Sequence, residues 1–577
     1  MAFTLQDAAI AASIICLAGW LAYRALLPKP IPGIPYDEKS ARRILGDIPD
    51  AMKHRAETKE LLSFLSKRIK ELDSPIIQLS MRPFGGRPWV IINDGREAQD
   101  ILVRRGREFD RSDFFRMVFE QLFPKNQGVM YTNDEWRHNR RLMADAMSPN
   151  FLNNTAAHKI HENTLDLIEL WQHRMRLAKG RPFEVMADVT YTTVDTIWAA
   201  CFGHRIGAAQ SQSDFLSKVS SIELPSSTDE IAAIPDGPLP EVYVALKDLA
   251  DSAQIPMNSM FGQKAHWFAL NFYPSLRRAL VIRDKLVYSK LDEAWKTFDG
   301  GRSDAEIKCV VDLVVQRETN LAKKENRPVE RNSRNLFDEV AGFLNAGQDT
   351  TSSTLSWGMK YLTKHQDVQN KVRDALKTTF EEAAKSGRQL EAEEIAKAKC
   401  PYLDAFVEEV LRHSGINPAN MRVALQDAQL LGHVIPKGTD VFMMTSGPSY
   451  HEPPMPLDEK LRSGSSREQK GDSERFEWKK PSDLDEFKPE RWLVPNDKGG
   501  LDHNSRAAPM QIFGLGIRGC YGKRLAYLEM RVIYALVLWN FELLPIADSI
   551  GDFKGTDVMS HQPQHVRIRL APVQRVL

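Results

Sequence analysis

The segment Phe513–Gly522 reads F-G-L-G-I-R-G-C-Y-G, and no other stretch of the 577 residues restricts the fold as tightly. Gly514, Gly516 and Gly519 precede Cys520, and Gly522 follows it. The backbone there can turn sharply and approach something flat and bulky. A helical pattern begins at once, through Lys523, Leu525, Ala526, Leu528 and Glu529. Cys520 therefore stands at a helix N-terminus, where amide N–H groups and the dipole stabilise a thiolate. Arg518 adds positive charge suited to a carboxylate. Such a thiolate can be a nucleophile or a metal ligand, and the sequence shows no Cys-His pairing that would choose between them. The plain alternative is a glycine-rich turn around a core cysteine.

The other four cysteines, Cys16, Cys201, Cys309 and Cys400, are scattered and form no C-x-x-C pair. Zinc ribbons, redox dithiols and a disulfide scaffold are thereby disfavoured, and the four read as small core residues. A net charge of +1, from 77 Lys+Arg against 76 Asp+Glu, argues against a nucleic-acid binder. A mean hydropathy of −0.38 excludes a multi-span membrane protein but allows one span.

That span is visible. Ala8–Tyr23 carries no charge, and its helical length of about 24 Å falls slightly short of a bilayer core. Arg24 can snorkel, which lets Ala25, Leu26 and Leu27 extend the run to residues 8–27. Arg24, Lys29, Arg42 and Arg43 follow the uncharged segment Ala8–Tyr23, so the positive-inside rule places everything after residue 27 in the cytoplasm. A cleaved signal peptide fits poorly, because residues 1–7 hold no Lys or Arg and no A-x-A site follows. Residues 28–35 form a proline-rich, non-helical hinge.

Beyond it the pattern is mainly α with a small β region. Asn163–Leu177 and Val368–Glu382 show helical spacing, whereas Pro75–Met81, Trp89–Asn93 and Val434–Met444 around a Pro-Lys-Gly turn read as strands. With no repeat and no linker, residues 36–577 are expected to form one large domain. Lys323–Asn335 and Glu459–Lys480 are expected to be solvated polar loops.

The decapeptide around Cys520 resembles the haem-binding signature F-x-x-G-x-R-x-C-x-G of the cytochrome P450 family, with Phe513, Gly516, Arg518, Cys520 and Gly522 at every fixed position. The resemblance implies that Cys520 is the proximal thiolate of a b-type haem iron and that Arg518 binds a haem propionate. An anionic sulfur pushes electron density onto iron and favours O–O cleavage.

Further segments follow in the family's order. Ala346-Gly347-Gln348-Asp349-Thr350-Thr351 resembles the distal helix, where Gly347 weakens the helix, Thr350 satisfies a freed carbonyl, and Asp349 and Thr350 suit proton relay to reduced dioxygen. Glu409 and Arg412 form an E-x-x-R that in the family is buried with an arginine downstream, here Arg491 of Phe487–Trp492. Trp136 and Arg140 match W-x-x-x-R and are assigned to a haem propionate, with Arg422 a further candidate. Arg137, Arg141, Lys523 and Arg524 could form a basic docking patch, or be ordinary solvated charge. Phe114–Phe119, His266–Phe268, Phe343 and Ala346 are candidates for an apolar substrate pocket.

The resemblance implies the cytochrome P450 fold and a microsomal-type monooxygenase. It would insert one atom of dioxygen into a lipophilic small molecule in specialised metabolism, using electrons from NADPH through a partner reductase. The expected location is the endoplasmic reticulum membrane, single-pass, with the catalytic domain facing the cytosol. A haem-thiolate isomerase or dehydratase working without a reductase, or a non-catalytic haem protein, is the alternative. Retention of Asp349 and Thr350 argues against the isomerase.

Overall fold

Behind the serine cap Ser333, whose side chain accepts from the Asn335 amide, the apolar spacing that begins at Leu336 builds a 31-residue helix, Arg334–Lys364. The computed structural model containing it describes residues 5–300, 307–468 and 481–573, and the protein is mainly α with a small β region. The described residues fall into two compact units. One comprises those of Met1–Asp113, Pro418–Asp485 and Gly514–Ile517. The other comprises Phe114–Asn417, Glu486–Phe513 and the described residues from Arg518 onward.

The first unit is built on a five-stranded sheet in the order Ile76–Leu79, Trp89–Ile92, Asp440–Met444, Ala419–Ala424, Phe109–Arg111. Only the pairing of Trp89–Ile92 with Asp440–Met444 is parallel, with Ile91 opposite Phe442. Ile76–Leu79, Trp89–Ile92 and Asp440–Met444 are buried along their whole length, so they show no in–out alternation. The Pro-Lys-Gly turn joins two different sheets: His433–Ile435 pairs with Ala428–Leu430, whereas Asp440–Met444 enters the larger sheet. Gly438, with φ +81°, permits that change of direction.

Helix Leu5–Leu26 precedes this sheet, and its span Ala9–Leu26 is long and apolar enough to cross a membrane, with no part buried in the protein. The proline-rich residues after it are fastened to the sheet. Gln78 accepts from the Ile31 amide at 2.7 Å and donates to the Ile31 and Ile34 carbonyls at 2.8 Å each, while Ile34 is buried.

The insertion expected to be solvated is partly docked. Residues 469–480 lie outside the described residues, but Arg462 forms a buried bidentate pair with Asp94 at 2.5 and 2.8 Å. Ser463 and Ser465 both donate to Asp100. Its charge pattern suggests solvation; the acids of the helix Gly95–Val103 and its Asp94 cap instead supply partners for it. Of Lys323–Asn335, the first three residues close the helix Val310–Glu325 and the last two open the next one.

The second unit packs its helices around Arg334–Lys364. The helix Met186–Phe202 lies alongside, tied by Thr193 Oγ1 to the Gln348 carbonyl at 3.1 Å. The helix Lys523–Asn540 is tied by Tyr534 OH to the Thr354 carbonyl at 3.2 Å. Asn163–Leu177 lies within the helix Ala157–Ala178, but the second expected helix ends early: Gln366–Thr379 stops at Phe380, and Glu381–Ser386 is separate.

Glu409, on the helix Pro401–Ser414, is fully buried and takes the Arg412 Nε and Nη2 at 3.0 and 2.8 Å and the Arg491 Nε at 2.9 Å. It also accepts from the Lys488 amide and the Trp492 indole, both at 2.8 Å. Burial alone would raise its pKa, but the Arg412 charge and the bonds from His413 and Arg412 hold it well below the ordinary value. A depressed folded-state pKa stabilises the fold above the ordinary carboxyl range, a contribution lost as the pH falls below it. Glu409→Gln should therefore cost about 3–5 kcal/mol near neutral pH by leaving two buried guanidiniums uncompensated. Denaturant titration at neutral and acidic pH checks both the size and the sign, because the penalty should shrink in acid; a pH-independent difference contradicts the assignment.

Candidate functional site

Gly522 caps the helix Lys523–Asn540, and Cys520 sits just ahead of it. The Cys520 amide donates to the Phe513 carbonyl at 2.7 Å, which closes the loop on itself. Cys520 is exposed, whereas Cys201, Cys309 and Cys400 are buried. The protein packed around its thiol still dominates: burial pushes the pKa up, against the amides of Gly522 and Lys523 and the charges of Arg140 and Lys523. The helix N-terminus thus favours the thiolate as expected but does not by itself produce one.

Arg140 and Trp136, one turn apart on the helix Asp134–Leu142, reach this loop. The Arg140 Nη2 donates to the Gly519 carbonyl at 3.4 Å, and its guanidinium lies 4.9 Å from the Tyr521 ring centroid. Arg518 stacks 4.8 Å from the Trp136 ring and donates to the Met130 carbonyl at 2.7 Å. Trp136, Arg140, Arg518, Phe513 and Cys520 are thereby brought together. The Trp136 indole N–H donates to the Gln127 carbonyl at 3.1 Å.

Gln127 organises this cluster, and sequence reasoning missed it. Its side-chain oxygen accepts from the Arg140 Nη1 at 2.9 Å, and its Nε2 donates to Glu339 Oε2 at 2.8 Å. Glu339 is fully buried and also accepts from the Gln127 amide and Asn139. Burial raises its pKa to about 8 despite those bonds. The only sequence signal was an acid directly ahead of the apolar run Val340–Leu344.

On the helix Arg334–Lys364, Asp349 and Thr350 occupy different settings. Thr350 Oγ1 donates to the Ala346 carbonyl at 3.0 Å, a back-bond within an unbroken helix. Asp349 Oδ2 accepts from Ser560 Oγ at 2.6 Å, and Ser560 also meets Ser353 Oγ at 3.0 Å. Burial raises the Asp349 pKa, and the two bonds from Ser560 oppose it. Ser560 was not foreseen: it arrives from the hairpin of Gly555–Asp557 and His561–Pro563, far along the chain.

Arg422 belongs to the sheet unit. It is buried on Ala419–Ala424, donates to its own Met421 carbonyl, and burial lowers its pKa to about 10 against the opposing charge of Asp110. Arg137 pairs with Asp134 and Arg141 with Glu325, so these two behave as solvated surface charge. Among the pocket candidates, His266 is fully buried while Trp267 and Phe268 are exposed. The described cavity on the long helix is lined by Ala341, Leu344, Asn345 and Gln348 instead of Phe343 and Ala346.

The comparisons agree with the sequence motifs. The family description "Cytochrome P450" matches residues 52–452 and 474–567. A cytochrome P450 monooxygenase of Pestalotiopsis microspora is 37% identical over 98% of both chains. The cytochrome P450 monooxygenase TRI13 of Fusarium sporotrichioides is 34% identical over 97% of this chain and 98% of its own. A crystal structure of a cytochrome P450, CYP102L1, superposes with a TM-score of 0.62 at 16% identity, covering 88% of this chain and 97% of that one.

Gly347 has a role beyond weakening the helix, which is unbroken there. A Cβ at this position would lie 2.6 Å from Ile197 Cδ1 and Cγ1. Alanine gains about 1 kcal/mol of helix propensity, but overpacking a buried contact costs about 1–3 kcal/mol. Gly347→Ala should lower the melting temperature, and adding Ile197→Val should recover part of the loss. Thermal unfolding of the two single variants and the double variant tests the coupling, and simple additivity would contradict it.

Proposed function

The chain belongs to the cytochrome P450 family and is a monooxygenase, and on that premise we propose that it oxidises a lipophilic small molecule in specialised metabolism through a b-type haem on Cys520. The observation that carries the reading is Cys520 itself, exposed at a helix N-terminus with two amides and Arg140 directed to it. Its donor chemistry fits the group: one sulfur able to ligate iron, and the guanidiniums of Arg140 and Arg518 in the same cluster to meet anionic propionates. A thiolate-ligated haem supplies oxygen activation when bound, using electrons from a redox partner.

The chain's own residues then have separable tasks. The amides of Gly522 and Lys523 temper the basicity of the Cys520 sulfur. Gln127, braced by Glu339, keeps Arg140 and Trp136 in place, and Arg518 is held against the Trp136 ring. Asp349, with its pKa raised and Ser560 fixing one oxygen, can hold a proton, and Thr350 Oγ1 can pass one on. Arg422 is a further cofactor-binding candidate. Residues 8–27 would anchor the protein and residues 28–35 would connect the anchor to a catalytic part spanning 36–577. NADPH-cytochrome reductase is the proposed electron donor, with the protein in the endoplasmic reticulum membrane and the catalytic part on the cytosolic side. The apolar, fully exposed span Ala9–Leu26 and the basic residues after it support that placement.

The reduced protein with carbon monoxide should show the red-shifted Soret band of a thiolate-ligated haem, and Cys520→Ser should abolish it; retention of the band at full intensity would overturn the assignment. Asp349→Asn should lower product formation by about 10²-fold while reductant consumption continues. Product per NADPH consumed is the measurement, and an unchanged ratio would remove Asp349 from proton delivery.

A further inference from the structure

In the sheet unit, the short helix Gly95–Val103 buries a row of acids. Its cap Asp94 and its residues Glu97 and Asp100 are each no more than 5% exposed. Buried carboxylates are tolerated only where donors or cations meet them. Residues 459–468, the first part of the hydrophilic insertion, supply partners to all three. Arg462 reaches both oxygens of Asp94 at 2.5 and 2.8 Å, and the Ser463 amide donates to Glu97 at 3.4 Å. The Ser463 and Ser465 hydroxyls converge on one oxygen of Asp100 at 2.8 and 2.7 Å. Arg96 ties the helix back to Glu459 at 3.1 Å and to the Ser466 carbonyl at 3.3 Å. From the chain just after the helix come only Arg104, on Asp100 at 2.5 Å, and Arg105, on Glu97 at 3.5 Å.

The next face round this helix touches the loop that leads into Cys520. Ala98, Ile101 and Leu102 belong to an apolar cluster against which Leu515 packs. Gly516, four residues before Cys520, adopts φ +67° against the last turn of the helix. A Cβ there would lie 2.3 Å from the Leu102 carbonyl oxygen and 3.2 Å from the Val103 Cα. Backbone therefore meets backbone, and neither partner is a side chain that could swing aside. A displacement of the helix has to be followed by the turn at Gly516.

We propose that residues 459–468 are a strap that positions the cysteine loop: Arg462, Ser463 and Ser465 fix the helix Gly95–Val103 from its acidic side, and that helix holds the Gly516 turn from which the chain runs into Cys520. The three are positioning residues, acting through the helix. The inference rests on the haem-thiolate reading for its functional meaning, since contacts behind a ligand orient it and keep its sulfur available. It also gives the insertion a task that its mixed charge conceals.

Hydrogen exchange of the full-length holoenzyme, read by mass spectrometry, tests this. The Cys520 amide, bonded to the Phe513 carbonyl at 2.7 Å, reports whether the loop stays closed. In the double variant Ser463→Ala/Ser465→Ala, exchange should quicken about tenfold both in residues 95–105 and at the Cys520 amide, with the hairpin 555–563 unchanged. Arg462→Ala should have a larger effect, and Arg462→Lys, which keeps the charge, should recover most of it; if Arg462→Ala does not fold, the serine pair carries the comparison. On mild warming, the reduced carbon monoxide complex of the serine variant should lose its red-shifted Soret band about tenfold faster than wild type while haem stays bound. Faster exchange confined to residues 95–105, uniform acceleration that includes the hairpin, or no change in any variant would overturn the inference. The wild-type spectrum separates the two readings. A normal band with an unaltered Cys520 amide in the variants sinks only the strap, and an absent band sinks the haem-thiolate assignment while the exchange comparison is still read.

Discussion

One buried carboxylate underlies the geometry of the helical unit. Glu409 accepts five hydrogen bonds, from Arg412, Arg491, the Lys488 amide and the Trp492 indole. A carboxylate offers about four lone-pair sites, so this one is saturated. Burying it costs several kcal/mol, and only so dense a set of donors offsets the cost. Well-packed apolar residues could match its stability, so its particular contribution is registry: it fixes where the chain at Lys488–Trp492 meets the helix Pro401–Ser414. Tyr527, whose ring lies 5.4 Å from Phe513, donates to the adjacent Glu408. Phe513, at the start of the Cys520 loop, is thereby linked through Tyr527 to the same helix.

That bracing bears on what kind of sulfur Cys520 is. A cysteine nucleophile needs a lowered pKa and an adjacent base. At Cys520 burial outweighs the amides and the charges of Arg140 and Lys523, so the folded chain does not by itself supply the thiolate that either role requires.

The order of legibility follows from the range of the interactions. Short-range features came through: the helix after Gly522, the apolar helix near the N-terminus, and the apolar strand Trp89–Ile92. Partners brought from far along the chain did not. Gln127 meets Glu339, Ser560 meets Asp349 and Arg462 meets Asp94, and in each case one member looks like an ordinary surface residue in its own neighbourhood. The Glu459–Lys480 segment shows the reason most plainly. Its mixed charges suggest solvation, and only the folded unit reveals buried acids waiting for two serines and an arginine.

The long helix Arg334–Lys364 explains how a single element serves separate chemistries. Successive residues point about 100° apart, so neighbours in sequence face different surroundings. Gly347 turns to Ile197 and lets the helix Met186–Phe202 approach. Gln348 turns to the apolar cavity, and Asp349 to Ser560 on the hairpin. Close packing at Gly347, the cavity wall at Gln348 and the Ser560 contact at Asp349 are thus consecutive in sequence but separate in space. A change at one can be felt by another only through movement of the helix itself. The close approach of Gly347 to Ile197 therefore helps to fix where Gln348 and Asp349 lie on the same helix.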